Sequence, residues 1–294
     1  VGRIRRLLPP LLFMLVITAI FVGVWAPDSM RRFLTDAPFA ITGLMNWWLV
    51  FKHQDYFESF GRPPLLQHTW SLGVEAQYYL IWPLILYFVL KVFGKKVIPT
   101  AALAIATFSG IALFLASIRA DISSTQDVSH VYFGTDTHSI GLFLGSALAV
   151  SWIPQNLRIN IEKRAQDFID FIGVFGLIGL LSSFLFIQEA DPTAYRIAFP
   201  LVGIFGSAII MSVVHPASRF APILQHPFMV WIGERSYAIY LWHWIVFQVT
   251  RPAQDLSGST WALYLFRILV VFALADISQR WIEIPVRNGA ISNW

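Results

Sequence analysis

Residues 67–83, QHTWSLGVEAQYYLIWP, set a histidine and a carboxylate seven positions apart at the mouth of an otherwise apolar run. Imidazole and carboxylate are the pair used in general acid–base chemistry, the acid orienting the ring and stabilising its protonated form. Read as a helix from Trp70 onward, the segment puts Ser71, Glu75, Tyr79 and Trp82 on one face at 4-4-3 spacing. His68 extends that face by a turn if the helix begins that early. Seven residues of helix rise ~10 Å, so His68 and Glu75 do not hydrogen-bond to each other on one straight helix. Glu75 needs its imidazole from elsewhere. Two readings of Glu75 stand: a structural carboxylate holding two helices together, and a desolvated acid of an active site. Either one turns it away from lipid, where an ionised carboxylate costs several kcal/mol on most scales, about 2.5–3.5 on insertion scales.

A second polar cluster lies in ERSYAIYLWHWIVF, residues 234–247, where Ser236, Tyr240, His243 and Phe247 share a face at 4-3-4 spacing. His243 falls at roughly the depth where Glu75 enters. It reads as an interfacial anchor, a satisfied core residue or a base. Glu234 and Arg235 read as markers of the headgroup boundary. His138, in YFGTDTHSIGLFLGSALA beside Asp136 and Thr137, reads either as an acceptor-binding group or as a solvated surface histidine. Gly141 and Gly145 form a GxxxG pair, which permits close helix packing. Asp276 is assigned a structural role, meeting Arg267 or a neighbouring helix. His53 with Asp55 is too isolated for a metal site, and no metal is expected. No P-loop, GxSxG or HExxH occurs.

The elements that carry these residues are membrane helices. Of 294 residues, 56% are apolar and 13% charged, with 12 Trp and 25 Phe, a composition suited to lipid contact rather than to one soluble core. Cysteine is absent, which excludes disulfides and thiol catalysis. Eight spans can be drawn, at 7–24, 70–90, 97–118, 138–152, 168–187, 198–214, 229–250 and 261–281, each near the ~20 residues a bilayer core requires except the short 138–152. The stretch 39–51 is too short to cross and reads as interfacial or re-entrant. The expected fold is an all-α integral membrane bundle, one domain over 1–294. With the first residues inside, twelve Lys and Arg fall on inside segments and seven outside. That bias places both ends of the chain in the cytoplasm. The net charge of +4 then reads as a topology signal, with no nucleic-acid partner expected.

These residues also carry a family resemblance. LLQHTWSLGVEAQYYLIWPLIL at 65–86 resembles the signature of the membrane acyltransferase family 3. RIRRLLP at 3–9, MNWW at 45–48, QDYF at 54–57, IGERSYAIYLWHW at 232–244 and RWIEIPVR at 280–287 resemble its other landmarks, in order, so that the likeness covers 2–288. The resemblance implies a multi-pass enzyme of the bacterial cytoplasmic membrane. Such an enzyme takes an acyl group, usually acetyl from acetyl-CoA, and places it on a hydroxyl of an extracytoplasmic carbohydrate or glycolipid such as O-antigen, exopolysaccharide or peptidoglycan. Acyl-CoA is then the donor, and no cofactor is permanently bound. Arg3 and Arg6 match the arginines linked to the donor. His68, Trp70, Ser71 and Glu75 match the central motif. Trp70, Ser71, Tyr79, His138 and Tyr240 are assigned to substrate binding, and Glu75, His68 and His243 to catalysis.

Two departures bear on this. The family opens with two more helices, the first bearing an Arg and a His for proton transfer, whereas no histidine here precedes His53. The chain is therefore expected to be N-terminally incomplete, with ten spans in the whole domain, and His68 and His243 stand in as bases. The usual VEEQFY is VEAQYY here, and His138 takes the place of a common Arg, which touches acceptor specificity. The rival class is a polytopic transporter or flippase of saccharides with Glu75 and His243 lining a path; the related halves such carriers often show are not evident.

Overall fold

The computed structural model describes residues 2–53, 62–119, 128–187, 194–252 and 254–289. QDYF at 54–57, and with it Asp55, lies outside them. In chain order the helices are α1 (Gly2–Trp25), α2 (Met30–Thr42), α3 (Met45–Phe51), α4 (Trp70–Val92), α5 (Ile98–Arg119), α6 (Ser129–Phe133), α7 (Thr135–His138), α8 (Ile140–Ser151), α9 (Lys163–Phe186), α10 (Phe199–Val214), α11 (Ala221–Leu224), α12 (Pro227–Val249), α13 (Thr260–Ser278) and α14 (Ile284–Arg287). A 3₁₀ turn, Gln67–Thr69, leads into α4, and single π turns precede α10 and α14. Helix is what an apolar chain must form in lipid, where each backbone polar group has to find its partner within the segment.

Six helical stretches are long and apolar enough to cross a membrane: Gly2–Trp25, Gln67–Val92, Lys95–Arg119, Lys163–Phe186, Tyr195–Val214 and Thr260–Arg287. Their outer faces carry large apolar side chains, as on α4, where Leu80, Leu84 and Phe88 at spacing four are 70%, 65% and 60% exposed. Two of the eight expected spans do not qualify. The stretch 138–152 yields α8, whose 12 residues cover ~18 Å of a ~30 Å core. The other, α12, is 23 residues long, but Glu234, Arg235 and His243 interrupt its apolar run. The 39–51 stretch breaks at Gly43, which adopts φ 70° between α2 and α3, and neither piece is long enough to cross.

The backbone divides into two compact units, one of 1–48, 58–73 and 228–294, the other of 49–57 and 74–227. In the first, α1 is held by the Tyr237 hydroxyl, which donates to the Leu7 carbonyl at 2.8 Å, and by Phe13 edge-on to Trp242. Asp36, buried at 2% exposure, accepts from Trp48 Nε1 at 2.8 Å, and Phe39 stacks on the Trp48 ring. In the second unit α9 and α10 pack backbone to backbone. A Cβ on Gly176 would lie 2.8 Å from the Phe205 carbonyl oxygen, one on Gly179 2.6 Å from the Phe205 ring, and one on Gly173 would collide with Ser212. Of the GxxxG pair, Gly145 faces open space, while a Cβ on Gly203 of α10 would lie 3.4 Å from the Gly141 Cα, so only Gly141 sits at a close approach. Glycine spacing shows that close approach is possible, not where a neighbour comes.

Replacing Gly176 by Ala should lower stability by about 1–3 kcal/mol, because a carbonyl oxygen cannot yield as a side chain can. Gly145→Ala should be neutral or slightly stabilising through helix propensity. Thermal unfolding in detergent compares them directly.

Candidate active site

In the first unit, two of the sequence clusters meet. The turn Gln67–Thr69 is buried throughout, so its polar backbone has to be satisfied by protein. Tyr240 on α12 does this, its hydroxyl donating to the His68 carbonyl. That hydroxyl has one proton, so the 2.7 Å contact with Ser71 Oγ runs the other way, with Ser71 donating to the Tyr240 oxygen. Thr69 Oγ1 closes the turn on the Leu66 carbonyl, and Trp244 Nε1 donates to the Pro64 carbonyl at 2.9 Å. His68 therefore lies in the turn before α4 and does not extend the face of that helix.

This arrangement sets the His68 ring against that of His243, centroids 5.8 Å apart and nearly perpendicular, with Tyr240 at 5.5 Å and Trp244 at 6.3 Å. His68 is 3% exposed. Neither of its ring nitrogens makes a hydrogen bond of ordinary geometry, and the carbonyls of Leu65 and Leu241 are the polar groups facing it. His243 is better defined. Its Nδ1 lies 2.6 Å from the Tyr240 carbonyl oxygen, and a carbonyl only accepts. Nδ1 therefore carries the proton of the neutral ring, and Nε2 is left as the basic nitrogen.

The segment entering the turn is anchored by Arg62. Its guanidinium donates to the Gln248 carbonyl at 2.5 Å and to both oxygens of Asp255 at 2.7 and 3.3 Å. Arg251 adds its amide and Nε to the same carboxylate. Burial alone would raise the Asp255 carboxyl, but hydrogen bonds from Arg251 and then Arg62 outweigh it and hold the group below the usual carboxylate range. Nothing in the sequence pairs Arg62 with a residue 193 positions away. The Pro63–Pro64 dipeptide stiffens the approach to the turn.

Gly73 also has a tertiary reason. A Cβ there would lie 2.8 Å from Asn46 Oδ1 and 3.1 Å from the Gly43 carbonyl oxygen. Elsewhere in this unit, Arg3, Arg5 and Arg6 are exposed in the first turns of α1, and both Arg6 and Arg287 lie in electrostatic range of Glu283. RIRRLLP and RWIEIPVR thus share one region.

Of the two partners open to Asp276, the neighbouring helix supplies it: Asp276 pairs with Arg235 of α12, and with Arg280, each at 2.8 Å. One expectation about charge is corrected here. Arg235 is no headgroup marker, being 6% exposed and stacked over Trp231 at 4.2 Å.

In the second unit, Tyr79 donates to Glu75 Oε2 at 3.2 Å, one turn apart as the shared face requires. Tyr78 and Ser146 exchange a hydroxyl contact at 2.5 Å, and Thr135 donates to Gln77 Oε1. His130 Nε2 lies 3.1 Å from Asp136. The last three pairings were not foreseen in the sequence, because each joins segments far apart in the chain or spans a tight turn. His138 is not solvated: it is half-buried, with the rings of Tyr132 and Phe199 at 5.5 and 5.3 Å. Among the described residues no three His, Asp or Glu side chains converge as metal ligands.

Long apolar helices with lipid-facing outer stripes and buried polar centres define a multi-pass membrane protein. The family model described as an acyltransferase domain matches residues 1–280, and the chain belongs to that family. It is 30% identical over 295 residues to the peptidoglycan O-acetyltransferase OatA of Listeria monocytogenes, covering all of this chain and 47% of that protein. It is 34% identical over 287 residues to the O-acetyltransferase OatA of Staphylococcus aureus, covering 97% of this chain and 46% of that protein. The chain spans about half the length of the curated relatives it matches. No solved structure matches it.

Tyr240→Phe leaves the His68 carbonyl and the Ser71 hydroxyl without their partner, and should cost roughly 1–3 kcal/mol of stability on thermal unfolding. Asp255→Asn should also melt earlier at neutral pH. The wild-type pair contributes fully above the ordinary carboxyl pKa of 3.8 and loses its contribution as the pH falls through the lowered value of the folded protein. Melting curves against pH should show the two proteins converging only in that acid range.

Proposed function

We propose that this chain is the membrane part of an O-acyltransferase that places an acyl group, acetyl in the simplest case, on a hydroxyl of an extracytoplasmic carbohydrate. Family membership and the names of the relatives support the reaction class. The observation that carries the mechanism is the fixed tautomer of His243, whose Nδ1–H is held by the Tyr240 carbonyl and whose Nε2 is basic. In the reading offered here, an acceptor hydroxyl gives its proton to Nε2 as its oxygen attacks the acyl carbonyl. The carbon–sulfur bond of the donor thioester breaks, and the departing thiolate takes the proton back from the imidazolium. His68 is the second imidazole. Ser71, Tyr240 and Trp70 orient the acceptor. Glu75 as the acidic group of the reaction, and Tyr79 and His138 as acceptor contacts, are roles taken from the family resemblance.

Acyl-CoA is the donor in this proposal, and Arg3 and Arg6 its phosphate contacts, since guanidinium pairs with phosphate in two-pronged fashion. That places both ends of the chain on the cytoplasmic side of the bacterial inner membrane, as the lysine and arginine bias suggests.

The test is transfer of labelled acetyl from acetyl-CoA to glycan in membranes containing the full-length protein. His243→Gln and Glu75→Gln should each lower turnover by about 10²–10⁴-fold, the usual size of an acid–base contribution, with the protein correctly inserted. Near wild-type turnover in either variant removes that residue from the chemistry. Movement of saccharide across the membrane without acetyl incorporation would favour a carrier instead.

A further inference from the structure

Three arginines are held inside the first unit. Arg235 has Asp276 at 2.8 Å and Arg62 has Asp255 at 2.7 Å. Arg267 has no carboxylate within ion-pairing distance among the described residues. It is 4% exposed and stands in the buried stripe of α13 that otherwise reads Leu263, Val271 and Ala275. Its partners are all neutral. Nε donates to Thr250 Oγ1 at 2.9 Å and Nη2 to the Thr250 carbonyl, while the guanidinium lies over the rings of Phe247 and Tyr264 at 4.8 and 5.6 Å.

These contacts are the C-terminal end of α12, whose dipole supplies only about half a negative charge. The aromatic faces add polarisation and no net charge. A full guanidinium charge is held at 4% exposure where ionised groups are costly, and roughly half of it is left without compensation among the described residues. Nη1 makes no hydrogen bond among the described residues, so donor capacity remains on the same side chain. The surroundings indicate what fills it. Trp261 and Tyr264, on the first turns of α13, are 84% and 45% exposed, the pattern of an interfacial aromatic belt. Arg267 lies ~9 Å beyond Trp261 and ~5 Å beyond Tyr264 along the helix, and its guanidinium is held at Thr250, just past the end of α12.

We infer that Arg267, with Thr250 and the rings of Phe247 and Tyr264, forms a binding site for a phosphate oxyanion, carried by an anionic phospholipid headgroup or by a soluble phosphate. This assignment is independent of acyl transfer.

The test uses purified full-length protein and two probes: nanodiscs of phosphatidylcholine with or without phosphatidylglycerol, and inorganic phosphate added in pure phosphatidylcholine. Native mass spectrometry reads retained phospholipid, and the melting temperature reads the phosphate arm. Wild-type protein should retain phosphatidylglycerol over phosphatidylcholine, and Arg267→Gln should weaken that preference roughly tenfold, the size of one lost charge-assisted hydrogen bond. Thr250→Asp supplies an internal carboxylate to Arg267 and should abolish the preference while keeping the charge in place; it decides the matter if Arg267→Gln does not fold. Stabilisation of wild type by inorganic phosphate alone, lost in both variants, assigns the site to a soluble phosphate. The inference is overturned if wild type responds to neither probe, or if a folded variant responds as wild type does.

Discussion

One hydroxyl organises the candidate site. The turn at residues 67–69 carries polar backbone into an interior with no water to receive it, and a carbonyl stranded there is expensive. The Tyr240 hydroxyl donates to that carbonyl and its oxygen accepts the hydrogen bond of Ser71. Because the bond comes from α12, it fixes where His68 lies relative to His243, three residues further along the same helix. The start of α4 and the meeting of the two imidazoles follow from satisfying one buried backbone group, while the Tyr240 carbonyl sets the tautomer of His243.

Charge is handled by the same rule at greater cost. Arg62 and Arg235 each lie against a carboxylate with further hydrogen bonds to a backbone carbonyl, which is how a guanidinium becomes tolerable inside a low-dielectric bundle. The pairs also act as rivets. Arg62–Asp255 ties the segment before the His68 turn to the loop after α12, and Arg235–Asp276 ties α12 to α13. In the second unit the polar device is a surface one, with Arg219 bridging Asp167 and Asp170 at 2.5 and 2.6 Å. There the interior cohesion comes from the glycine seam of α9 and α10, where missing side chains let backbones touch and dispersion forces accumulate.

Legibility followed the range of the interaction. Periodicity within one helix was readable, and the Tyr79–Glu75 contact appears where spacing four put it. The six qualifying spans were readable for the same reason, since length and apolarity are local sums. What failed was partner choice. For Asp276 the sequence left Arg267 and a neighbouring helix both open, and it is Arg235 of α12 that reaches it. The Gly141–Gly145 spacing permitted a close approach, and α10 uses it only at Gly141. His138 looked solvated beside Asp136 and Thr137, but two rings from other segments enclose it.

Taken alone, the order of residues determined the class of solvent this chain meets, its helical state and its acyltransferase family, because composition, period and motif are properties of contiguous stretches. It also marked His68, Glu75, Tyr240 and His243 as polar groups too costly to waste on lipid. Only the folded chain decided that His68 meets His243, that Tyr240 joins them to Ser71, and that Arg267 has no carboxylate beside it among the described residues. Those outcomes depend on which distant segment arrives first at a buried polar atom, and distance along the chain carries no record of that.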